Sequence, residues 1–283
     1  MSKIALVTDS TIALPQNLVI ENHLHIVPLS VIWDGKTYLD GIEMTPATFY
    51  ERLAGSSTNP STSQPSPEAF REVFQALLDQ GYEILCVTIS AKLSGTFDSA
   101  QQALVGLPAE SIRLVDSQTA SLPLGMVALE LASAIAKGSS LDDAEVLAKD
   151  LCARTEVYFA LDTLEYLHRG GRIGGAAKLM GTLLGLKPIL TIKNGVVEAL
   201  DKVRTSKRAR ERIVEMMVEK MGEGAKVRFI GVTAAGALTE AQNVLADAQA
   251  HFNAERSILA ELSPVIGTHG GPGTIGLVCI PEA

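Results

Sequence analysis

Short apolar runs alternate with helix-periodic segments through the first half of this chain. Residues 4–8, 84–89 and 112–115 are apolar runs that predict buried strands, whereas residues 68–80 show the spacing of an amphipathic helix. The three runs lead into small polar turns before the next helical pattern. Alternation this regular is typical of βαβ units on a parallel sheet, so the pattern predicts an α/β fold.

The pattern changes in the second half of the chain. Residues 189–192 and 196–203 are strand-like runs that flank Asn194-Gly195, a dipeptide typical of a two-residue hairpin. A hairpin implies antiparallel pairing and therefore a mixed sheet. We expect two α/β domains: residues 1–154 with a parallel sheet and residues 155–283 with a mixed sheet.

The segment between residues 55 and 67 is the most polar and proline-rich part of the chain. Most such segments are solvated loops or linkers. Here three prolines fix φ, which makes the loop stiff enough to hold Thr62, Ser63 and Gln64 in place. We expect a loop that can serve as one wall of a site.

Composition limits the function classes. The net charge of −8 argues against nucleic acid as a partner, because affinity for phosphate backbones needs a surplus of Lys and Arg. The three cysteines are far apart and lie in apolar runs, which is typical of buried cysteines in a protein of the reducing cytosol. No run approaches the ~20 apolar residues of a membrane span, and residues 4–7 are too few for a signal-peptide core. We expect a cytoplasmic protein, not an integral membrane protein, with at most transient contact with a membrane surface.

Candidate chemistry begins at the turn between residues 84–89 and the helical segment from Phe97. Ser94, Gly95 and Thr96 lie at this turn, where unpaired backbone N–H groups and two hydroxyls could bind an anion. A Ser/Thr helix cap explains the same residues. Because such caps open very many helices, the stretch alone favours the cap over the anion site.

Two glycine-rich segments carry further candidates. The first runs from Leu164 to Gly175 and holds Arg169 and Arg172; we expect a helix ending near Arg169, with Gly170 in the left-handed conformation. The second surrounds His269 with glycines, and we expect a solvent-near loop there because it offers no apolar face to bury the ring. No residue pattern indicates a metal site or another cofactor.

One enzyme class remains as an alternative. Ser94, Asp116 and His269 follow the chain order of an α/β-hydrolase triad, which would make the protein a lipid-active serine hydrolase. The glycines expected two residues before and after the nucleophile are replaced by Lys92 and Thr96. Both departures count against hydrolysis.

A basic cluster follows the predicted hairpin. It starts at Lys202 and reaches Arg212, interleaved with glutamate as on a solvated helix face. Arg204 precedes the helix, so we single it out as a solvent-near residue for contact with a partner.

Taken together, the motifs resemble those of the DegV family across essentially the whole chain. They are Thr8-Asp9-Ser10, Ser61-Thr62-Ser63-Gln64-Pro65, Ser94-Gly95-Thr96, Val115-Asp116-Ser117, the Tyr166 to Gly174 insert, Lys187-Pro188-Ile189 and His269-Gly270-Gly271-Pro272-Gly273. The resemblance implies a two-domain protein that binds a long-chain fatty acid between its domains. It also implies a non-catalytic role, in which a separate ATP-binding fatty acid kinase converts the presented carboxylate to an acyl phosphate for phospholipid synthesis.

The resemblance also implies roles for individual residues. The carboxylate would be held by Thr62, Ser63, Ser94, Gly95 and His269, and ligand handling or partner action would involve Arg172, Arg204 and His269. The choice between Arg169 and Arg172 stays open, since the two arginines flank one glycine pair. Candidate walls of an acyl tunnel, for which core packing is an equally good account, are Leu164, Ile173, Leu179, Met180, Leu183 and Leu184.

Overall fold

Strands and helices alternate along the chain in the computed structural model, which describes residues 3–182 and 185–282. The strands are β1 (Lys3–Asp9), β2 (His25–Val27), β3 (Ser30–Trp33), β4 (Lys36–Leu39), β5 (Ser61–Ser63), β6 (Tyr82–Thr88), β7 (Ile112–Asp116), β8 (Glu156–Ala160), β9 (Lys187–Lys193), β10 (Val196–Val203), β11 (Lys226–Ala234), β12 (Asn253–Glu261) and β13 (Ile275–Pro281). The helices are α1 (Gln16–Glu21), α2 (Pro46–Gly55), α3 (Pro67–Asp79), α4 (Thr96–Ala103), α5 (Leu122–Ala136), α6 (Leu141–Arg154), α7 (Glu165–Arg169), α8 (Ser206–Met221), α9 (Leu238–His251) and α10 (Pro264–Gly270).

The first sheet is parallel, as the apolar runs predict. Its strand order is β2-β1-β6-β7, with Val7 opposite Cys86 and Cys86 opposite Leu114. These three residues belong to nearly continuous apolar runs. Such runs are typical of parallel strands, because both faces of the sheet are covered by other elements. The carboxyl ends of β1, β6 and β7 therefore lie along one edge, where Asp9 and Asp116 end their strands.

The second sheet is mixed, which confirms the predicted fold class. Its order is β10-β9-β8-β13-β11-β12, in which β11 and β12 pair in parallel and the remaining neighbours are antiparallel. Asn194 and Gly195 turn the β9–β10 hairpin with φ of 50° and 79°, the left-handed values that a type I′ turn needs. All strands of the first sheet precede Thr155 in the chain, and all strands of the second sheet follow it. The sequence predicts the domain boundary at this point, and the division into domains stays a prediction.

Helix α5 joins the two sheets. Leu122, Leu124 and Met126 are fully buried, and one apolar core contains α5 together with residues of both sheets. The helix approaches β11 so closely that a Cβ on Gly231 would lie 2.7 Å from the Met126 sulfur. This position requires glycine because the sheet and the helix leave no room for a side chain.

A small sheet of order β4-β3-β5 corrects the expectation of a loop at residues 55–67. Thr62 pairs with Val31 of β3, while Pro60 and Pro65 are buried on either side of the strand. The hydroxyl-rich segment becomes a strand because β3 supplies backbone partners that local sequence does not reveal. Thr62 is held by backbone pairing in addition to proline stiffness.

Helix α10 corrects the expectation of a glycine-rich loop around His269. Ser263 caps this helix by accepting from the Ile266 N–H at 3.4 Å, and Pro264 occupies its first turn. Gly267 lies inside the helix, where a Cβ would come 2.5 Å from the Tyr50 hydroxyl. Close packing therefore explains this glycine, and His269 is part of a helix.

None of the helices in the described part of the chain combines the length and apolarity needed to cross a membrane.

Candidate functional site

An inner cavity lies between elements from the two halves of the chain. Its walls are mainly apolar and include Leu93 from the first half, with Phe159 and Leu161 from the second. Helix α10 adds Val265 and Ile266. The cavity therefore exists only where the two sheets and α10 come together.

Thr62 and His269 form the main polar contact of this cavity. Thr62 Oγ1 lies 2.8 Å from His269 Nε2, which joins β5 to α10. Burial, followed by the charge of Arg172, lowers the pKa of His269 to about 4. The ring is therefore neutral at pH 7, and its single N–H can donate to Thr62 from Nε2. His269 is mostly buried, which corrects the expectation of a solvent-near ring.

Helix α10 is anchored at the end opposite His269. The Val265 N–H donates to Asp40 Oδ1 at 3.2 Å, and the Ser10 hydroxyl donates to Asp40 Oδ2 at 2.7 Å. Burial raises the pKa of Asp40 to about 7. The Tyr50 hydroxyl donates to the Leu262 carbonyl at 3.2 Å, so the start of α10 is fixed to the β1 end and to α2.

Gly170 sets the position of the imidazole from the other side. A Cβ on Gly170 would lie 2.0 Å from His269 Nδ1, and this nitrogen is buried without a hydrogen-bond partner among the described residues. Gly170 has φ of −76°, whereas Gly171 has φ of +70°. The expected left-handed residue is thus Gly171, and Gly170 is needed for close approach.

The structure separates the roles of the two arginines. Arg172 donates from Nε to the Leu93 carbonyl at 3.0 Å and from Nη1 to the Gly170 carbonyl at 2.6 Å, and it lines the inner cavity. Arg169 bonds to Asn59 and Glu165, and it lines a second, outer cavity but not the inner one. Arg172 is therefore the arginine beside the Thr62–His269 pair.

The outer cavity adjoins the inner one. The two cavities share Thr62, Arg172 and His269 as lining residues. The outer cavity is more polar and also contains Arg169. These shared residues form the junction, with apolar space on one side and polar space on the other.

Of the other candidate anion ligands, Ser63 and Ser94 line the inner cavity. The Ser94 hydroxyl pairs with Thr96 Oγ1 at 2.8 Å, and Gly95 is the N-cap residue of α4. A Cβ on Gly95 would lie 3.0 Å from the Gln64 side chain, so Gly95 packs against the β5 segment. Arg204 is exposed and lines neither cavity.

The structure does not assemble the hydrolase triad. Asp116 lines a different cavity, and its Oδ1 accepts from the N–H groups of Ala91 at 3.1 Å and Gln118 at 2.9 Å. Among the described residues, His269 Nδ1 has no carboxylate partner, and Ser94 bonds to Thr96 instead of the imidazole. Neither link of a Ser–His–Asp relay is present.

The expected tunnel walls are mostly elsewhere. Leu164, Ile173 and Leu179 pack in an apolar cluster that also contains the cavity-wall residues Phe159 and Leu161, and Met180 is 45% exposed. None of these four lines the inner cavity. Leu183 and Leu184 lie outside the described residues. Sequence reasoning did not single out the residues that line the cavity, such as Phe159 and Ile266, because nothing in their local pattern distinguishes them from other core residues.

The chain is similar to known proteins over nearly its whole length. A model described as "Uncharacterised protein, DegV family" matches residues 3–282. A DegV domain-containing protein of Clostridium perfringens is 34% identical over 99% of both chains. A solved structure described as fatty acid binding of a DegV family protein from Thermus thermophilus has a TM-score of 0.93 and 37% identity, covering 99% of this chain and 100% of that chain. A stearic-acid-binding protein from Eubacterium ventriosum has a TM-score of 0.89 and 26% identity, covering 99% of this chain and 98% of that chain.

Proposed function

This chain belongs to the DegV family, and we propose that it binds a long-chain fatty acid in the inner cavity and presents the carboxylate at the junction. The observation that carries the proposal is the abrupt change of lining at Thr62, Arg172 and His269, from apolar inner walls to a polar outer cavity. A fatty acid has the same division between tail and head. The fatty acids bound by the Thermus and Eubacterium relatives support this choice of ligand.

The inner cavity supplies the affinity for the tail. Transfer of each methylene from water to apolar surroundings contributes about 0.8 kcal/mol, so a long chain gains far more than a short one. Uncharged, apolar wall residues such as Leu161 and Val265 provide those surroundings. We propose that the acyl chain occupies a buried tunnel formed from this cavity.

Thr62, Ser63, Ser94, Gly95 and His269 would hold the carboxylate. In this arrangement His269 donates from Nε2 to Thr62 Oγ1, which leaves the Thr62 hydroxyl hydrogen free for a carboxylate oxygen. The Ser94 hydroxyl can turn from Thr96 to donate from the α4 side. Hydrogen bonds to a charged group are stronger than neutral ones, which favours both rearrangements when the ligand is bound.

The outer cavity would admit the partner. A separate ATP-dependent kinase would bring the γ-phosphate to the junction, where a carboxylate oxygen attacks phosphorus and ADP leaves with the breaking P–O bond. Arg172 lies at the junction and could stabilise the charge of the transferring group, while the exposed Arg204 would contact the partner protein. The protein itself would then act as a carrier subunit and not as the catalyst.

Denaturing mass spectrometry of protein purified from cells tests the proposal. We expect a free fatty acid to co-purify without added ligand. Repeated recovery of empty protein, together with turnover of lipid esters, would refute the carrier function and favour a hydrolase.

A further inference from the structure

Two hydroxyls in the wall of the inner cavity have no hydrogen-bond partner among the described residues. They are Ser121 Oγ at the start of α5 and Thr233 Oγ1 on β11, in residues that are 7% and 4% exposed. Both residues line the inner cavity, and neither lines the outer one. They therefore lie in the wall of the space proposed for the acyl tail, apart from the junction.

The other hydroxyls of the same lining are paired. Thr62 bonds to His269, Ser63 to the Gln64 carbonyl, Ser94 to Thr96, and Thr274 to the Gly271 carbonyl at 2.8 Å. A buried hydroxyl without a partner is unfavourable, so proteins rarely retain one without a reason. The two unpaired groups thus differ from the rest of the wall.

Ser121 also has an unusual backbone. Its φ of 64° and ψ of −144° lie in a region that glycine adopts readily and serine rarely does. A serine here keeps both backbone strain and an unpaired hydroxyl, although glycine would remove both. This combination is typical of a position that is retained for ligand contact.

An unsubstituted acyl chain would place methylene groups against both hydroxyls and leave them unpaired. A hydroxyl or keto oxygen on the chain would pair with them once a change of χ1 rotamer turns each side-chain oxygen toward the cavity. Sites that bury polar groups discriminate strongly against ligands that cannot pair with them. We propose that Ser121 and Thr233 select a long-chain acid with an oxygen substituent on its chain, an inference that rests on fatty-acid binding as the function of the cavity.

Competition binding on delipidated protein tests this selection. The probes are stearic acid and a panel of hydroxystearic acids whose hydroxyl positions span the chain. We expect at least one isomer to bind about tenfold more tightly than stearic acid, the gain from one additional hydrogen bond. The double variant Ser121→Gly/Thr233→Val should lose this preference and still bind stearic acid.

Thr8→Val is the matched control. Thr8 is also fully buried with an unpaired hydroxyl, but it does not line the inner cavity, so this variant should keep the preference. If stearic acid binds and no isomer is preferred, water fills the polar positions and the selection is refuted while fatty-acid binding stands. A preference that survives in the double variant also refutes it. If no acid binds at all, fatty-acid binding itself fails.

Discussion

His269 should make the stability of the ligand-free protein depend on pH in a specific window. The ordinary pKa of 6.5 describes the unfolded chain, and burial lowers the folded value to about 4. Between these values the unfolded chain takes up a proton that the folded protein does not. The contribution of the neutral imidazole is therefore fully present above pH 6.5 and is lost as the pH falls toward 4.

The two pKa values set the size of the effect. Their difference corresponds to about 3 kcal/mol across the full window, and about 2 kcal/mol is already lost at pH 5. Typical domains have only ~5–15 kcal/mol of stability, so the loss is measurable. His269→Gln places an amide near the position of Nε2 but cannot be protonated. Its free energy of unfolding should fall less than that of the wild type, by about 2 kcal/mol, between pH 7 and pH 5.

Urea unfolding of both proteins at pH 7 and pH 5 measures this difference. Other titrating groups are common to both proteins and cancel in the comparison. Equal losses of unfolding free energy in the two proteins would refute the buried, neutral imidazole. As a second check, Arg172→Gln should raise the pKa of His269 in an NMR titration but leave it below 6.5, because burial is the larger cause.

Four further variants examine the junction, its surroundings and Arg204. Thr62→Val and Ser94→Ala should each weaken fatty-acid binding about tenfold in calorimetric titration, since each removes a hydrogen bond to a charged group; unchanged affinity in both would exclude them from the site. Gly170→Ala forces His269 away from Thr62 and should have a similar effect, which should vanish in a His269→Ala background if the ring is the cause. Arg204→Ala should retain the fatty acid but reduce acyl-phosphate formation with a cognate kinase and ATP, less so at high salt; loss of the fatty acid with normal coupling would place Arg204 in the binding site.

Local sequence predicts most of the elements because their causes are local. The Asn194-Gly195 turn and the Thr45 cap of α2 depend on backbone and side-chain chemistry within a few residues. Ser263-Pro264 carries a comparable helix-start signal, yet the glycines that follow favour a loop. Packing of Gly267 against Tyr50 favours the helix, and the local sequence does not reveal this contact.

Only part of the candidate site can be predicted from local sequence, for the same reason. Three local signals mark unusual residues: hydroxyls in a proline-rich segment for Thr62, hydroxyls at a strand end for Ser94, and a histidine among glycines for His269. The approach of Gly170 to His269 and the unpaired hydroxyl of Ser121 become visible only when distant segments are brought together. Pairing between β3 and β5, which fixes Thr62, is likewise a long-range contact.

The position of α5 between the sheets has a consequence for synthesis on the ribosome. Helix α5 emerges early, but β11 and β13, which cover part of its surface, are made only near the end of the chain. Until then Leu122 and Met126 lack the strand that packs against them at Gly231. A nascent chain stalled before Lys226 would expose this apolar helix and should be a substrate for chaperones, whereas the completed chain would release them.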